Sequence, residues 1–396
     1  MARKYHVFLM LLVNLAIRNL TRRRVRTILT ILGVAIAISF TVGILSISEG
    51  FMASFENSMA KQGTDIIVVP KEAEAYPYPD VAAFVGSFSE DIISQIEQLE
   101  NVRAAYPVFT AIPMTMSMDK PGAIPILNGV TPAYFADVAA YLRLGSGRLI
   151  AEGDRNVLVA GSGIATVAGL ELGGTLDIRG VRFEVVGILK ATGGMDDGML
   201  FTPLEPLQEA YGKPRQLTYV PVKVRDVARA EETAADISET WPSISAQTMT
   251  SVIDKLVDLV GIVRAAHMGL STIALLIGIL FILSTMLMAV GERVREIGTM
   301  RAIGAHRSLI FRLIVLESLG TSIIAGAAGC LGGYLLSQGI TWVLSEFVGL
   351  TYFAPVVSPR IFGTGLAIAL LVGMLAGLYP AWRISKTNIV QALRYE

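Results

Sequence analysis

Histidine, cysteine and adjacent carboxylates supply most metal ligands, nucleophiles and acid–base pairs, and in this chain they are few and scattered. His6, His267 and His306 fall at no metal-ligand spacing, and two of them stand beside membrane boundaries, where interfacial or helix-end roles are expected. Cys330, the single cysteine, sits in an apolar run and has no partner for an intrachain disulfide, so an outward-facing domain must rely on packing. Asp196 and Asp197 are neighbours in GGMDDGM, where a solvated loop is expected over a catalytic dyad. GSG at Gly161 to Gly163 reads as a turn. No G-x-x-x-x-G-K-[ST], H-E-x-x-H, C-x-x-C or G-x-S-x-G occurs, so the chain has no phosphate-binding loop, zinc-protease helix, redox pair or nucleophile elbow. No catalytic residue, metal site or bound cofactor is expected, and no enzyme activity of the chain on its own.

The charged residues say more. Lys plus Arg and Asp plus Glu number 33 each, so no basic excess argues for nucleic acid, and what matters is where the charges sit. Val294 to Ser318, VREIGTMRAIGAHRSLIFRLIVLES, lies between two hydrophobic runs long enough to cross a membrane. On a helix, Val294, Ile297, Met300 or Arg301, and Ile303 or Gly304 fall on one side, with Arg295, Glu296 and Thr299 on the rest. A helix this short is marginal in water, so it must gain stability by docking. Gly304 and Ala305 interrupt it before SLIFRLIVLES resumes helical spacing. A small helix joined to membrane helices at both ends is suited to pass on a push from a partner.

The elements around this segment are legible in composition. With 53% hydrophobic and 17% charged residues, the chain reads as a membrane protein. Thr27 to Ser48, Met268 to Val290, Ser318 to Ser345 and Ile361 to Trp382 lack Asp, Glu, Lys and Arg, and each approaches or exceeds the ~20 residues that span a bilayer. The third, with Gly326, Gly329, Gly332 and Gly333, has the small residues that let helices approach closely in lipid. Charges are confined to the margins, which counts against an ion-conducting pump. Glu317 comes nearest to an exception, with Arg312 as its expected partner. Arg3, Lys4, Arg18, Arg22, Arg23, Arg24 and Arg26 precede the first span, and Arg293, Arg295, Arg301, Arg307 and Arg312 lie between the second and third, against Arg360 alone between the third and fourth. The positive-inside rule then places both termini and the second loop in the cytoplasm. Val7 to Ile17 has the length of a signal-peptide core, but a basic cluster and a full span follow it instead of a cleavage site. It is expected to lie in the membrane interface, with Arg18, Arg22, Arg23, Arg24 and Arg26 near the headgroups of the lipid bilayer.

Between Glu49 and Gly261 the texture changes to short segments divided by Gly and Pro. DIIVVP at 65–70 reads as a buried strand, and SEDIISQIEQLENV as a helix capped by Ser89. RNVLVAG, GTLDIRG and VRFEVVGIL read as three strands with glycine turns, and VPVKVRD as a strand leading into the helix DVARAEETAADISETW. The mixture is α+β. SISEGFMASFENSMA extends the first span outward, and TMTSVIDKLVDLVGIVRAAHMG runs without a break into the second, with Gly261 as a possible kink.

At VREIGTMRAIGAHRSLIFRLIVLES the chain resembles the permease family of ABC transporters that includes the macrolide exporter, the lipoprotein-release permeases and the cell-division permease. NLAIRNLTRRRVRTILTILGVAIAISF, SGRLIAEGDRNVLVAG, GGTLDIRGVRFEVVGIL, DDGMLFTPLEPLQ and the tail LYPAWRISKTNIVQALRYE resemble other parts of that family in order. The resemblance implies four transmembrane α-helices with a large α+β extracytoplasmic domain inserted between the first and second. It divides the chain into an interfacial helix (1–26), span one (27–48), a domain with stalk helices at both ends (49–260), span two (261–291), a coupling-helix loop (292–312), span three (313–345), an outer loop (346–360), span four (361–382) and a cytoplasmic tail (383–396). It also implies a prokaryotic cytoplasmic-membrane location, a separate ABC ATPase subunit that holds ATP and Mg, and a second permease copy, identical or related. A membrane-anchored adaptor is a further expected partner, and no nucleic acid is. Arg295, Glu296, Gly298, Arg301 and Gly304 become the ATPase-contact candidates: the arginines for charge-assisted hydrogen bonds, Gly298 for close approach, Gly304 for the turn. The implied activity is mechanotransmission, with export or extraction of a lipid, lipoprotein, peptide or drug. The alternative is a non-transporting signal transmitter that activates an extracytoplasmic enzyme such as a cell-wall hydrolase. One departure is His306, where relatives commonly carry Ser or Thr; Ser308 is the expected substitute cap.

Overall fold

The computed structural model of the chain describes residues 24–59, 61–74, 85–112, 125–344 and 355–386. Helix α1 (Arg24–Met59) carries the first apolar run and continues past it. There follow β1 (Ile66–Pro70), β2 (Phe88–Ser89), α2 (Ile92–Ile96), β3 (Val102–Ala105), β4 (Phe109–Ala111), β5 (Ile126–Val130), α3 (Pro132–Asp137) and β6 (Leu144–Gly147). Next come β7 (Val157–Ala160), α4 (Ser162–Ala168), β8 (Thr175–Ile178), β9 (Val181–Leu189), β10 (Met199–Pro203), α5 (Leu204–Ala210), β11 (Gln216–Leu217), β12 (Val220–Val224), α6 (Ala230–Thr240) and β13 (Ile244–Thr248). Helix α7 (Met249–Glu292) follows β13 directly and is unbroken at Gly261, and α8 (Val294–Ala302), α9 (Arg307–Val343) and α10 (Pro359–Ser385) complete the order. Helices α1, α7, α9 and α10 are each long and apolar enough to cross a membrane. Two compact units result, one within Met1–Ser48, Val263–Gly339 and Val356–Glu396, the other within Glu49–Ile262 and Ile340–Pro355.

The inserted unit is built on two larger sheets. All five residues of β1 are buried, as a run of Ile and Val without a solvent face requires, and β1 is an inner strand of the antiparallel order β13-β1-β12-β3. Its side chains alternate: Ile66 and Val68 join one core with Ile237 of α6, while Ile67 and Val69 join another with Tyr106, Phe201 and the first turns of α7 at Val252 and Leu256. The larger sheet runs β4-β5-β10-β7-β9-β6, with β8 paired to β9; β5–β10 and β7–β9 are parallel, the rest antiparallel. Strand β9 buries Phe183 and Val185 and exposes Arg182 and Glu184, the period-two pattern of a sheet with one covered face. Arg179 and Gly180, both at positive φ, make the two-residue turn between β8 and β9.

Three expectations fail here. The stretch 89–102 is not one helix: α2 is a single turn, Asp91 stands at its N-cap, and the Ser89 hydroxyl donates to the Asp91 carboxylate while accepting its backbone N–H. Asp196 and Asp197 are not solvated either. They are 3% and 8% exposed. The Asp197 carboxylate accepts the backbone N–H groups of Thr192 and Gly193 at 2.8 and 2.9 Å and the Thr192 hydroxyl at 3.0 Å, while Asp196 accepts the Tyr141 hydroxyl at 2.8 Å. Such donors offset the desolvation of a buried carboxylate. Burial, reinforced by Asp196, pushes the Tyr141 phenol far above its usual range. Nor is GSG a free turn, since Ser162 opens α4 and a Cβ on Gly161 would collide with the Asp196 and Asp197 carbonyl oxygens.

In the helical unit α9 is the hub. A Cβ on Gly329 would stand 2.7 Å from the Ile38 Cβ, one on Gly333 2.7 Å from the Val42 Cβ, and one on Gly326 2.6 Å from the Ala369 Cβ, so α9 meets both α1 and α10 at backbone distance. Hydroxyls stitch the same contacts: Ser39 donates to the Gly329 carbonyl at 3.0 Å, and Ser318 to the Gly373 carbonyl at 2.9 Å.

Candidate coupling site

Helix α8 has nine residues, Glu296 in its first turn and Arg301 in its last, both charges matched to the helix dipole. Ile297 is the docked residue, buried in a cluster with Ile310 and Ile314 of α9 and Ala381 and Ile384 of α10. Arg295, Glu296 and Thr299 are exposed, so the charged face expected from the spacing points away from that cluster. Arg301 is half-buried. Gly298, expected to admit a partner, is itself buried, next to Ile297 in the sequence.

The helix ends in a motif with a definite hydrogen-bond pattern. Ala305 N–H donates to the Met300 carbonyl at 2.9 Å and Gly304 N–H to the Arg301 carbonyl at 3.2 Å, which is a Schellman closure with Gly304 at φ +102°. That backbone is strained for any residue with a Cβ, so Gly304 has the turning role expected of it. Ile303, placed near the docked stripe by spacing alone, is swung out by the turn to 82% exposure. Helix α9 then begins at Arg307. His306 takes the capping position after all, its Nδ1 facing the Ser308 N–H at 3.3 Å and the Ser308 hydroxyl at 2.9 Å, so Ser308 does not replace it as the cap.

Sequence reasoning missed Arg293, directly before α8. Its Nη1 donates to both carboxylate oxygens of Glu317, at 3.2 and 3.3 Å, with the two side chains 16% and 10% exposed. Glu317 therefore pairs with Arg293, and Arg312, its expected partner, is exposed. The five arginines of this loop look alike in sequence, and nothing in their spacing picks out the one 24 positions from the glutamate. Beside the pair lies a cavity of about 140 Å³, with Met286, Met300, Leu313, Glu296 and Glu317 among its walls. Of the basic cluster near the first span, Arg18, Arg22 and Arg23 lie outside the described residues, and Arg24 and Arg26 stand in the first turn of α1.

Four membrane helices, a large α+β domain inserted after the first, and a charged helix docked between the second and third define a membrane permease subunit. Two family models account for most of the chain, the MacB-like periplasmic core domain over residues 27–240 and the FtsX-like permease C-terminal domain over residues 268–389. The chain belongs to the ABC-transporter permeases of this MacB and FtsX type, a family that implies an ATPase partner. It is 23% identical to an ABC transporter permease of Methanocaldococcus jannaschii, MJ1507, and 23% identical to the ABC transporter permease YknZ of Bacillus subtilis, in each case over 97% of this chain and 98% of the relative. It is 27% identical to the macrolide export ATP-binding/permease protein MacB of Bdellovibrio bacteriovorus, over 96% of this chain but 61% of that longer protein.

Proposed function

We propose that this chain couples ATP hydrolysis on a separate ATPase to movement of its inserted domain, and so exports or extracts a hydrophobic or amphipathic substrate. The observation that carries the reading is α8: a short helix held on one side by Ile297, closed by the Gly304 turn, and presenting Arg295 and Glu296 outward. The relatives of Methanocaldococcus jannaschii and Bacillus subtilis, each matched over 98% of its length, carry the name of a permease without an ATP-binding part, which supports ATP and Mg being held on another chain. The arginine census supports a cytoplasmic position for α8 and both termini, in the cytoplasmic membrane of a prokaryote, with the inserted domain on the opposite side. The four spans keep Asp, Glu, Lys and Arg at their margins, and the Ser39 and Ser318 hydroxyls are spent on backbone carbonyls of neighbouring helices, which favours capture of cargo at the outer leaflet or beyond it. Two permease copies, identical or related, would work with an ATPase pair, with room for a membrane-anchored adaptor.

The test is ATP hydrolysis by the partner ABC ATPase, reconstituted in lipid with the permease and with an Arg295→Glu, Glu296→Arg double variant. The permease is expected to bind and alter hydrolysis, and the variant to fold without doing so. Equal behaviour of the two would remove α8 from the mechanism.

A further inference from the structure

Helix α9 turns one stripe toward the α8 segment: Ile310, Ile314 and Glu317, at i, i+4 and i+7. Ile297 packs with the two isoleucines, and Arg293 grips the glutamate through both oxygens. Next to these two contacts is the cavity of about 140 Å³, which reaches Leu313 on α9 and Met300 on α8. A close ion pair resists both compression and separation, and it lies at the end of α8 nearest α7, where a tilt of the short helix meets the long ones.

Stability alone is a poor reason for the pair. Taking two charges out of water costs about as much as their attraction returns, and apolar replacements of similar size are often as stable. What the pair supplies is a fixed relation between the start of α8 and one turn of α9. The geometry points to Arg293 and Glu317 as positioning residues that carry the displacement of α8 into α9. This inference rests on the ATPase-coupled reading above.

The experiment uses the full-length permease in lipid with its ATPase, and separates ATPase affinity from the change in hydrolysis rate. The central variant is Arg293→Gln with Glu317→Gln, which leaves no lone buried charge; beside it stands the swap Arg293→Glu with Glu317→Arg. The neutral double is expected to keep its melting temperature and its ATPase affinity within about twofold, while the rate change falls about tenfold, a usual size for coupling between sites. The swap is expected to recover a clear part of that loss. Wild-type coupling in the neutral double would reduce the pair to packing, and a parallel loss of affinity would confine it to shaping the docking surface; each overturns the inference. So does a swap no better than the neutral double, since charge pairing would then not be what transmits. If the neutral double does not fold, Arg293→Lys and Glu317→Asp keep the charges at altered reach. A graded fall in rate change at constant affinity supports the inference, and no fall refutes it. Failure of the unaltered permease to bind the ATPase sinks the proposed function itself and takes this inference with it.

Discussion

Helices α7 and α9 flank α8 in the chain and are both long enough to cross a bilayer, yet they stand in opposite relations to the protein. In its most apolar stretch α7 is 17% buried and α9 50%, although α7 is the more hydrophobic of the two. Leu270, Ile273, Leu276, Ile277 and Leu280 of α7 are exposed, whereas Gly326, Gly329, Gly333, Ser318 and Ser322 of α9 are buried against α1 and α10. In lipid, large aliphatic side chains gain nothing by leaving the hydrocarbon, so hydropathy does not sort helices by burial; side-chain size does.

That contrast can be broken by substitution. The largest effect is expected from Gly333→Leu, whose branched side chain has no room against Val42; overpacking at backbone distance should cost about 3 kcal/mol or more and abolish the monodisperse, folded protein in a detergent melting assay. Next is Gly304→Val, in the turn that joins the two helices through α8, where a β-branched residue at φ +102° should cost about 1–2 kcal/mol and lower ATPase coupling before it lowers the yield of folded protein. Ser318→Ala removes the hydrogen bond to the Gly373 carbonyl, and in a membrane setting should cost only about 0.6 kcal/mol, a small shift in the same assay. Leu276→Ala, on the lipid side of α7, should change melting by less than about 0.5 kcal/mol. A large loss there would mean that the exposed face of α7 is covered by protein, a second copy included, and that α7 is no less enclosed than α9.

The spans are legible because a run of ~20 uncharged apolar residues suits a bilayer and little else, and the packing of α9 because glycine at that density in lipid serves the close approach of helices. Strands β7, β8 and β9 are legible from short segments divided by glycine turns, β1 and β12 from their β-branched runs, and α7 from the lack of a break in its pattern. Long-range pairing is not. Glu317 stands out as a charge at the edge of a span, but Arg293 becomes its partner only when α8 folds back over α9. Asp196 and Asp197 look solvated in the sequence because their carboxylates are satisfied by donors that the local residues do not advertise, namely two backbone N–H groups, a threonine hydroxyl and a tyrosine 55 residues away. Gly298 shows the same limit, since spacing gives a helix but not which side of it the rest of the chain covers.

Strand β1 has a further consequence, for synthesis. Both of its neighbours, β12 and β13, come from the far end of the inserted domain, so Ile66–Val69 has no backbone partners until residue 224 and then residue 248 have left the ribosome. At ~5–20 residues per second, the 154 positions between Pro70 and Val224 take roughly 8–30 s. Through that interval the nascent domain carries an unpaired, uncharged, β-branched segment of the kind that recruits other strands. Helix α1, by contrast, is made first and needs no distant partner for its backbone. Quality control of this protein therefore has an early, lasting target in β1, and substitutions that weaken β13 should raise its degradation during production before they alter the finished molecule.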